Sequence, residues 1–172
     1  MIVQISFAQN ENLGEIYSIG IKFRLDQLSW KKVFVADTVT DNEFSMSTRR
    51  CTKLFKKFLF EDNSVVTTDN LDSMNSSLKD IFNPYKNIRL INMEEKSKIL
   101  SNHSNEGWIH FYKNYPGYAG IIYLSPVYFN QQHSKAIYQL SLARQACGNG
   151  SNSLIFLAKD KNGKWFKTMP GK

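Results

Sequence analysis

The 172-residue sequence predicts an α+β domain: an antiparallel meander sheet with N-terminal amphipathic helices packed on one face. Three observations point there. Apolar residues recur at helical spacing between Glu11 and Trp30, and again between Leu71 and Phe82. From Lys135 to Leu142, Ala136, Tyr138, Leu140 and Leu142 alternate with Lys135, Ile137, Gln139 and Ser141, the period of a half-buried strand. Asp160-Lys161-Asn162-Gly163 then divides two short apolar runs, and Asn-Gly suits the two positive φ values of a type I′ hairpin turn.

In chain order, Leu13, Ile16, Tyr17, Ile19, Gly20, Phe23 and Leu28 give the first helix its apolar face, interspersed with Lys22, Arg24, Asp26 and Gln27. The β-branched run Val33–Thr40 reads as a strand, with Asp41-Asn42 as its turn. Over Met46–Phe60, Leu54, Phe55, Phe58 and Leu59 share a helical face opposite Lys53, Lys56 and Lys57, with Arg49-Arg50 just upstream. The lysines read as a solvated back face; a membrane or nucleic acid is the other use of such a helix. Thr68 or Asp69 caps a helix carrying Leu71, Met74, Leu78, Ile81 and Phe82, which Asn83-Pro84 ends.

Ile88–Ile91 is a short strand, and Asn92 with Glu95 forms a capping box for a helix over Met93–Leu100. Ser101–Glu106 is a polar loop. Trp108, Phe111, Tyr112 and Tyr115 form an aromatic stripe that reads as core, seating a helix on the sheet until Pro116 stops it. Ile121–Phe129 is the next strand, in which Pro126 marks an edge or a bulge. Asn130–Ser134 turns into the Lys135 strand, Gln145–Asn152 is a glycine-rich connection, and Leu154–Lys159 and Lys164–Thr168 close the meander.

A hydrophobic content of 42% with 13% aromatic residues suffices for one domain over residues 11–172, with a core that needs neither metals nor several disulfides. No run of about 18 apolar residues occurs, so no membrane span is expected. The net charge of +7 is unevenly placed: residues 1–107 carry 14 Lys/Arg against 14 Asp/Glu, whereas residues 108–172 carry 8 Lys/Arg against Asp160 alone. Lysines that guard sheet edges and turns explain this; an anionic partner would as well. Met1–Asn10 is apolar and ends in Ser6-Phe7-Ala8-Gln9, like the tail of a secretory signal peptide without its charged start, or else a short strand. The expected location is periplasmic or secreted, with the cytoplasm as the alternative.

Residues that could carry chemistry are few. Cys51 and Cys147 form no CxxC or Cys/His cluster, so no zinc site is expected; export would allow one disulfide between them, and two separate thiols are the other reading. His103, His110 and His133 fall in a loop, a helix and a turn without HExxH spacing, so neither metal nor cofactor is expected. No GxSxG elbow is present. Cys147-Gly148-Asn149-Gly150 lies between strands and opens no helix, which removes the geometry of a phosphate loop. Glu94-Glu95 and the pair Asp37 and Asp41 are accounted for by a helix cap and a strand end. No catalytic residue is assigned.

Several segments together resemble a family. Gly107-Trp108-x-x-Phe111-x-x-x-Tyr115-Pro116 is followed by Gly120-Ile121-Ile122-x-Leu124-Ser125-x-Val127-x-Phe129-Asn130, then Lys135-Ala136-Ile137-Tyr138 and the Cys147-to-Gly150 turn. Leu157-x-Lys159-x-x-x-Gly163-Lys164-Trp165 closes the pattern; upstream, Ile16-Tyr17-Ser18-x-x-Ile21 and Lys32-Val33-Phe34-Val35 belong to it. This pattern resembles that of an uncharacterised family of exported bacterial proteins. Pro126 and Tyr128 stand where the pattern has Arg and Gly, and the connection carries Cys147. The resemblance implies an exported α+β domain and carries over no catalytic residue.

The expected function is a non-enzymatic module that binds another protein, such as an immunity-type or envelope-associated partner, or a small ligand. Trp108, Tyr112, Tyr118, Tyr128 and Trp165 are the candidate contact residues. A hydrolase-like enzyme would instead place His110 and a carboxylate such as Glu106 in a cleft. A third reading has the basic sheet stacking single-stranded nucleic acid on Tyr118, Tyr123, Tyr128 and Trp165, although nucleic acid is not the expected partner.

Overall fold

The computed structural model describes residues 11–38, 67–68, 78–80, 82–83, 85–100, 105–130, 132–144 and 150–169. Among the described residues, the helices α1 (Glu11–Leu28), α2 (Met93–Ile99) and α3 (Asn105–Asn114) accompany eight strand segments. The strands are β1 (Lys32–Ala36), β2 (Thr67–Thr68), β3 (Ile88–Ile91), β4 (Tyr118–Leu124), β5 (Tyr128–Phe129), β6 (Lys135–Ala143), β7 (Ser151–Lys159) and β8 (Trp165–Thr168). The basic helix expected over Met46–Phe60 and the cysteine pair lie outside the described residues. So do residues 1–10.

The domain is α+β, but the sheet is mixed, which corrects the expected antiparallel meander. β1 lies between β3 and β4 and runs parallel to both, aligning Val35 with Leu90 on one side and with Ile122 on the other. The physical reason lies in β1 itself. Val33, Phe34, Val35 and Ala36 are all buried, as in a strand covered on both faces, and parallel strands need such cover. The expected meander holds for the C-terminal part, where β4, β6, β7 and β8 pair antiparallel in succession.

Helices also cover both faces rather than one. On one face Leu13, Ile16, Tyr17, Ile21 and Leu25 of α1 pack on Val33, Val35, Ile122, Tyr138 and Ile155, joined by Leu78 and Phe82. On the other, Leu100 with Trp108 and Phe111 of α3 pack on Phe34, Ile91 and Ile121. Strand alternation allots these residues: Phe34 faces away from Val33 and Val35, and Ile121 away from Ile122. Centrality likewise makes β6 more buried than its alternating pattern suggests. Ile137 and Ser141, expected on the solvent side, are buried.

Local details refine the expectations. β4 and β5 are two halves of one interrupted strand along β6: Leu124 aligns with Leu140 and Tyr128 with Ile137. Between these pairs three residues, 125–127, therefore oppose two, 138 and 139. Pro126 sits in this bulge, where its missing N–H breaks no ladder bond. Ser125 bridges the gap, its Oγ accepting from the Gln139 N–H at 2.8 Å. Thr68, expected as a helix cap, lies instead in β2 opposite Tyr128. Glu106 opens α3 rather than ending a loop. The Asp160–Gly163 hairpin is not type I′, because only Gly163 has a positive φ, at 79°. The Gly163 N–H donates to the Asp160 carbonyl and the Asp160 N–H to the Lys164 carbonyl, a three-residue loop ending in a glycine bulge. The Asp160 carboxylate favours it by accepting from the Asn162 and Lys164 N–H groups.

Candidate functional site

The parallel strands begin at one end of the sheet, and four connections converge on that rim. α1 ends in a Schellman motif: Ser29, at φ 56°, donates to the Asp26 carbonyl and Trp30 to that of Leu25. This fixes Trp30 just before Lys31 and Lys32. Beside β1, the Val33 N–H donates to the Asn87 carbonyl at 3.1 Å, which draws the turn Tyr85-Lys86-Asn87 alongside. α3, with Lys113 in its last turn, hands the chain through Tyr115 to Tyr118, the residue opposite Lys32. β6 arrives from the sheet's far side and leaves at Arg144, whose carbonyl accepts from the Tyr112 hydroxyl at 2.9 Å.

The aromatic rings on this rim form a connected stack. Tyr112 lies between Trp108 (6.0 Å between centroids) and Trp30 (6.3 Å), with interplanar angles of 32° and 38°. Tyr118 lies 4.6 Å from Phe34 and 6.0 Å from Tyr115. Phe34, Trp108 and Phe111 are buried and hold the stack in place, whereas Trp30, Tyr112, Tyr115 and Tyr118 are half-buried and reach the surface.

Cations frame the rings. Lys32 Nζ lies 5.8 Å from the Tyr118 ring. The Arg89 guanidinium covers Phe34 at 5.2 Å and Tyr115 at 5.6 Å while pairing with Glu95 at 2.6 Å. Burial raises the Tyr112 hydroxyl pKa above its usual value, and the neighbouring Arg144 charge opposes that rise. The four connections, at 29–32, 85–87, 113–118 and 144, contribute Lys31, Lys32, Lys86, Lys113 and Arg144 and no acid. The lysines are exposed and Arg144 half-buried. Lys113 has a structural reason as well, since a cation in the last turn opposes the α3 dipole.

Of the five candidate contact residues, the fold unites three. Trp108, only 6% exposed, supports the stack, and Tyr112 and Tyr118 belong to its surface. Tyr128 lies elsewhere, on β5 between Thr68 and Ile137, and is half-buried. Trp165 is a core residue on the α1 face, 2% exposed, against Phe129 and beneath Lys159. Tyr123 sits on β4 under Lys96, at 4.7 Å. Trp30, Lys32, Tyr115 and Arg144 were not anticipated. Around them the sequence sets aromatic–lysine neighbours, Trp30-Lys31, Tyr85-Lys86 and Tyr112-Lys113, each close to where a helix or strand begins or ends.

The residues named for a hydrolytic cleft, Glu106 and His110, are both exposed on α3, and His133 stacks on Phe129 at 5.0 Å in a turn. His103, Cys51 and Cys147 lie outside the described residues. Among the described residues no group of three His, Cys, Asp or Glu side chains could hold a metal ion, and no helix is long and apolar enough to cross a membrane. Set against protein-family models, curated proteins and solved structures, the chain matches none.

Proposed function

We propose that this domain is an exported, non-catalytic binding module whose contact surface is the rim where β1, β3 and β4 begin. The observation that carries this reading is the stack of Trp30, Tyr112, Tyr115 and Tyr118, half-buried among Lys32, Arg89 and Arg144. Tyrosine, tryptophan and arginine dominate binding energy at protein interfaces because each offers large apolar area together with a polar tip. Strand starts and a helix end hold these side chains, so little ordering remains to be done on binding. The partner is another protein or a small ligand. Export is supported by the signal-like Met1–Asn10 and by the resemblance to exported bacterial proteins.

The test is photo-cross-linking in producing cells. Benzoylphenylalanine in place of Tyr118 should give a discrete adduct, and in place of exposed Phe166 on β8 it should give none. A Tyr118 substitution that yields only unreacted protein would remove the rim as the contact surface.

A further inference from the structure

We infer that the partner is a protein segment rich in carboxylates, which lays its acidic side chains on the lysines of the rim and its apolar ones against the tyrosine edges. This rests on the binding-module reading and narrows it.

Charge is the first ground. Lys31, Lys32, Lys86, Lys113 and Arg144 gather on connections that carry no acid of their own, although the rest of the described chain has acids to offer. Glu94 pairs with Lys98 and Glu95 with Arg89, whereas no salt bridge is found for the rim lysines among the described residues. Such a one-sign patch steers a partner of opposite sign and excludes cationic surfaces.

The second ground separates carboxylates from phosphates. Compact phosphate sites use converging backbone N–H groups at a helix N-terminus or in a nest of amides. Both α1 and α3 end at this rim, so neither brings the free N–H groups of a helix N-terminus to it. Anions here must be recognised by the long lysine side chains, spread over a wide footprint.

The third ground separates a peptide from a single-stranded nucleic acid. Base stacking needs a free ring face. Tyr112 has Trp108 and Trp30 tilted against it, Tyr118 has Phe34 and Lys32, and Tyr115 has the Arg89 guanidinium over its ring. A base stacking on these three rings would have to displace such contacts, whereas a peptide can meet the ring edges. Ring edges accommodate aliphatic side chains and peptide carbonyls, the contacts of a protein interface.

Fluorescence anisotropy with labelled probes tests the inference on the whole chain. The probes are a peptide of repeated Glu-Glu-Phe, the same peptide with Gln for Glu, and an oligothymidylate of equal charge. The Glu peptide should bind, weaken steeply with salt, and lose at least about tenfold in affinity when Glu becomes Gln or in the double variant Lys32→Glu, Lys113→Glu. Lys161→Glu, Lys164→Glu, the same charge change on the hairpin at the opposite end, should bind the Glu peptide as the wild type does. Equal loss in that control would reduce the effect to net charge and overturn the inference. Tighter binding of the oligothymidylate, lost in the rim variant, would overturn it in favour of nucleic acid. Equal binding of the Gln peptide would refute the acidic partner while leaving the binding module standing. Absence of Glu-peptide binding at low salt would also refute the acidic partner, and the Tyr118 cross-link then decides separately whether the rim binds anything.

Discussion

Tyr17 and Tyr138 fasten the first helix to the sheet from opposite directions. The Tyr138 hydroxyl, on β6, donates to the α1 carbonyls of Ile16 at 3.2 Å and Tyr17 at 3.3 Å. The Tyr17 hydroxyl, on α1, donates at 3.0 Å to the Ser125 carbonyl in the bulge between β4 and β5. The two rings meet edge-on, 5.1 Å apart. Both side chains are fully buried, so each polar tip must find its partner inside the protein, and each finds it on the opposite layer. Gly20 makes the arrangement possible, because a Cβ there would run into the Tyr138 hydroxyl and lie 2.9 Å from its Cζ.

Gly20 and Tyr138 should therefore be energetically coupled. Gly20→Ala overpacks the seam and should cost about 1–3 kcal/mol of stability. Tyr138→Phe removes a buried donor and should cost about 1 kcal/mol. The double variant should cost clearly less than the sum, since phenylalanine lacks the oxygen the new methyl strikes. Urea unfolding of the four proteins measures this, and strict additivity would show that the helix shifts away instead.

Alkaline pH should weaken the fold through the same residue. Burial raises the Tyr138 pKa far above its usual value near 10, so the native state keeps the phenol neutral. The unfolded chain releases that proton near pH 10. The contribution is thus complete below about pH 10 and is lost as pH climbs toward the native value. Above pH 10 the wild type should lose up to about 1.4 kcal/mol per pH unit more than Tyr138→Phe. Parallel stability curves for the two proteins would rule out this origin of alkaline instability.

The start of α2 separates a cap from an ion pair. Asn92 Oδ1 accepts from the Glu95 N–H at 2.7 Å, but the Glu95 carboxylate turns to Arg89 rather than back to the Asn92 N–H. Only half of the capping box is closed. Asn92→Ala should cost about 1 kcal/mol. Glu95→Gln breaks a pair whose side chains are 48% and 32% exposed, and should cost less than about 0.5 kcal/mol. Denaturation midpoints at low and high salt distinguish them, because only the second effect is screened.

Asn92 was legible in the sequence because its partner lies three residues away, and the helical spacing of α1 and α3 was legible for the same reason. Pro126 likewise narrowed its place to an edge or a bulge, since a missing N–H is tolerated within a ladder only there. The parallel placement of β1 was harder to see, although Val33–Ala36 shows an unbroken apolar run. Nothing local says that such a run has a parallel strand on each side. Asn162-Gly163 misled in a related way: the dipeptide fits a type I′ turn, but the Asp160 carboxylate binds the loop amides and selects another. The candidate surface was half visible. Tyr112 and Tyr118 stood out as aromatics, but only the sheet's topology brings Trp30, Lys86 and Arg144 beside them and sends Trp165 to the opposite face.

The position of β1 also sets an order of events during synthesis. It leaves the ribosome before every other described strand, yet its two neighbours, β3 and β4, follow only after long stretches of chain. The hairpins joining β6, β7 and β8 close over short loops and need no such wait. Val33–Ala36, four consecutive buried apolar residues, therefore emerges early and is enclosed late. Until Ile88 and Ile122 arrive it is an unpaired template for other chains, and the yield of folded protein depends on keeping that one strand solitary.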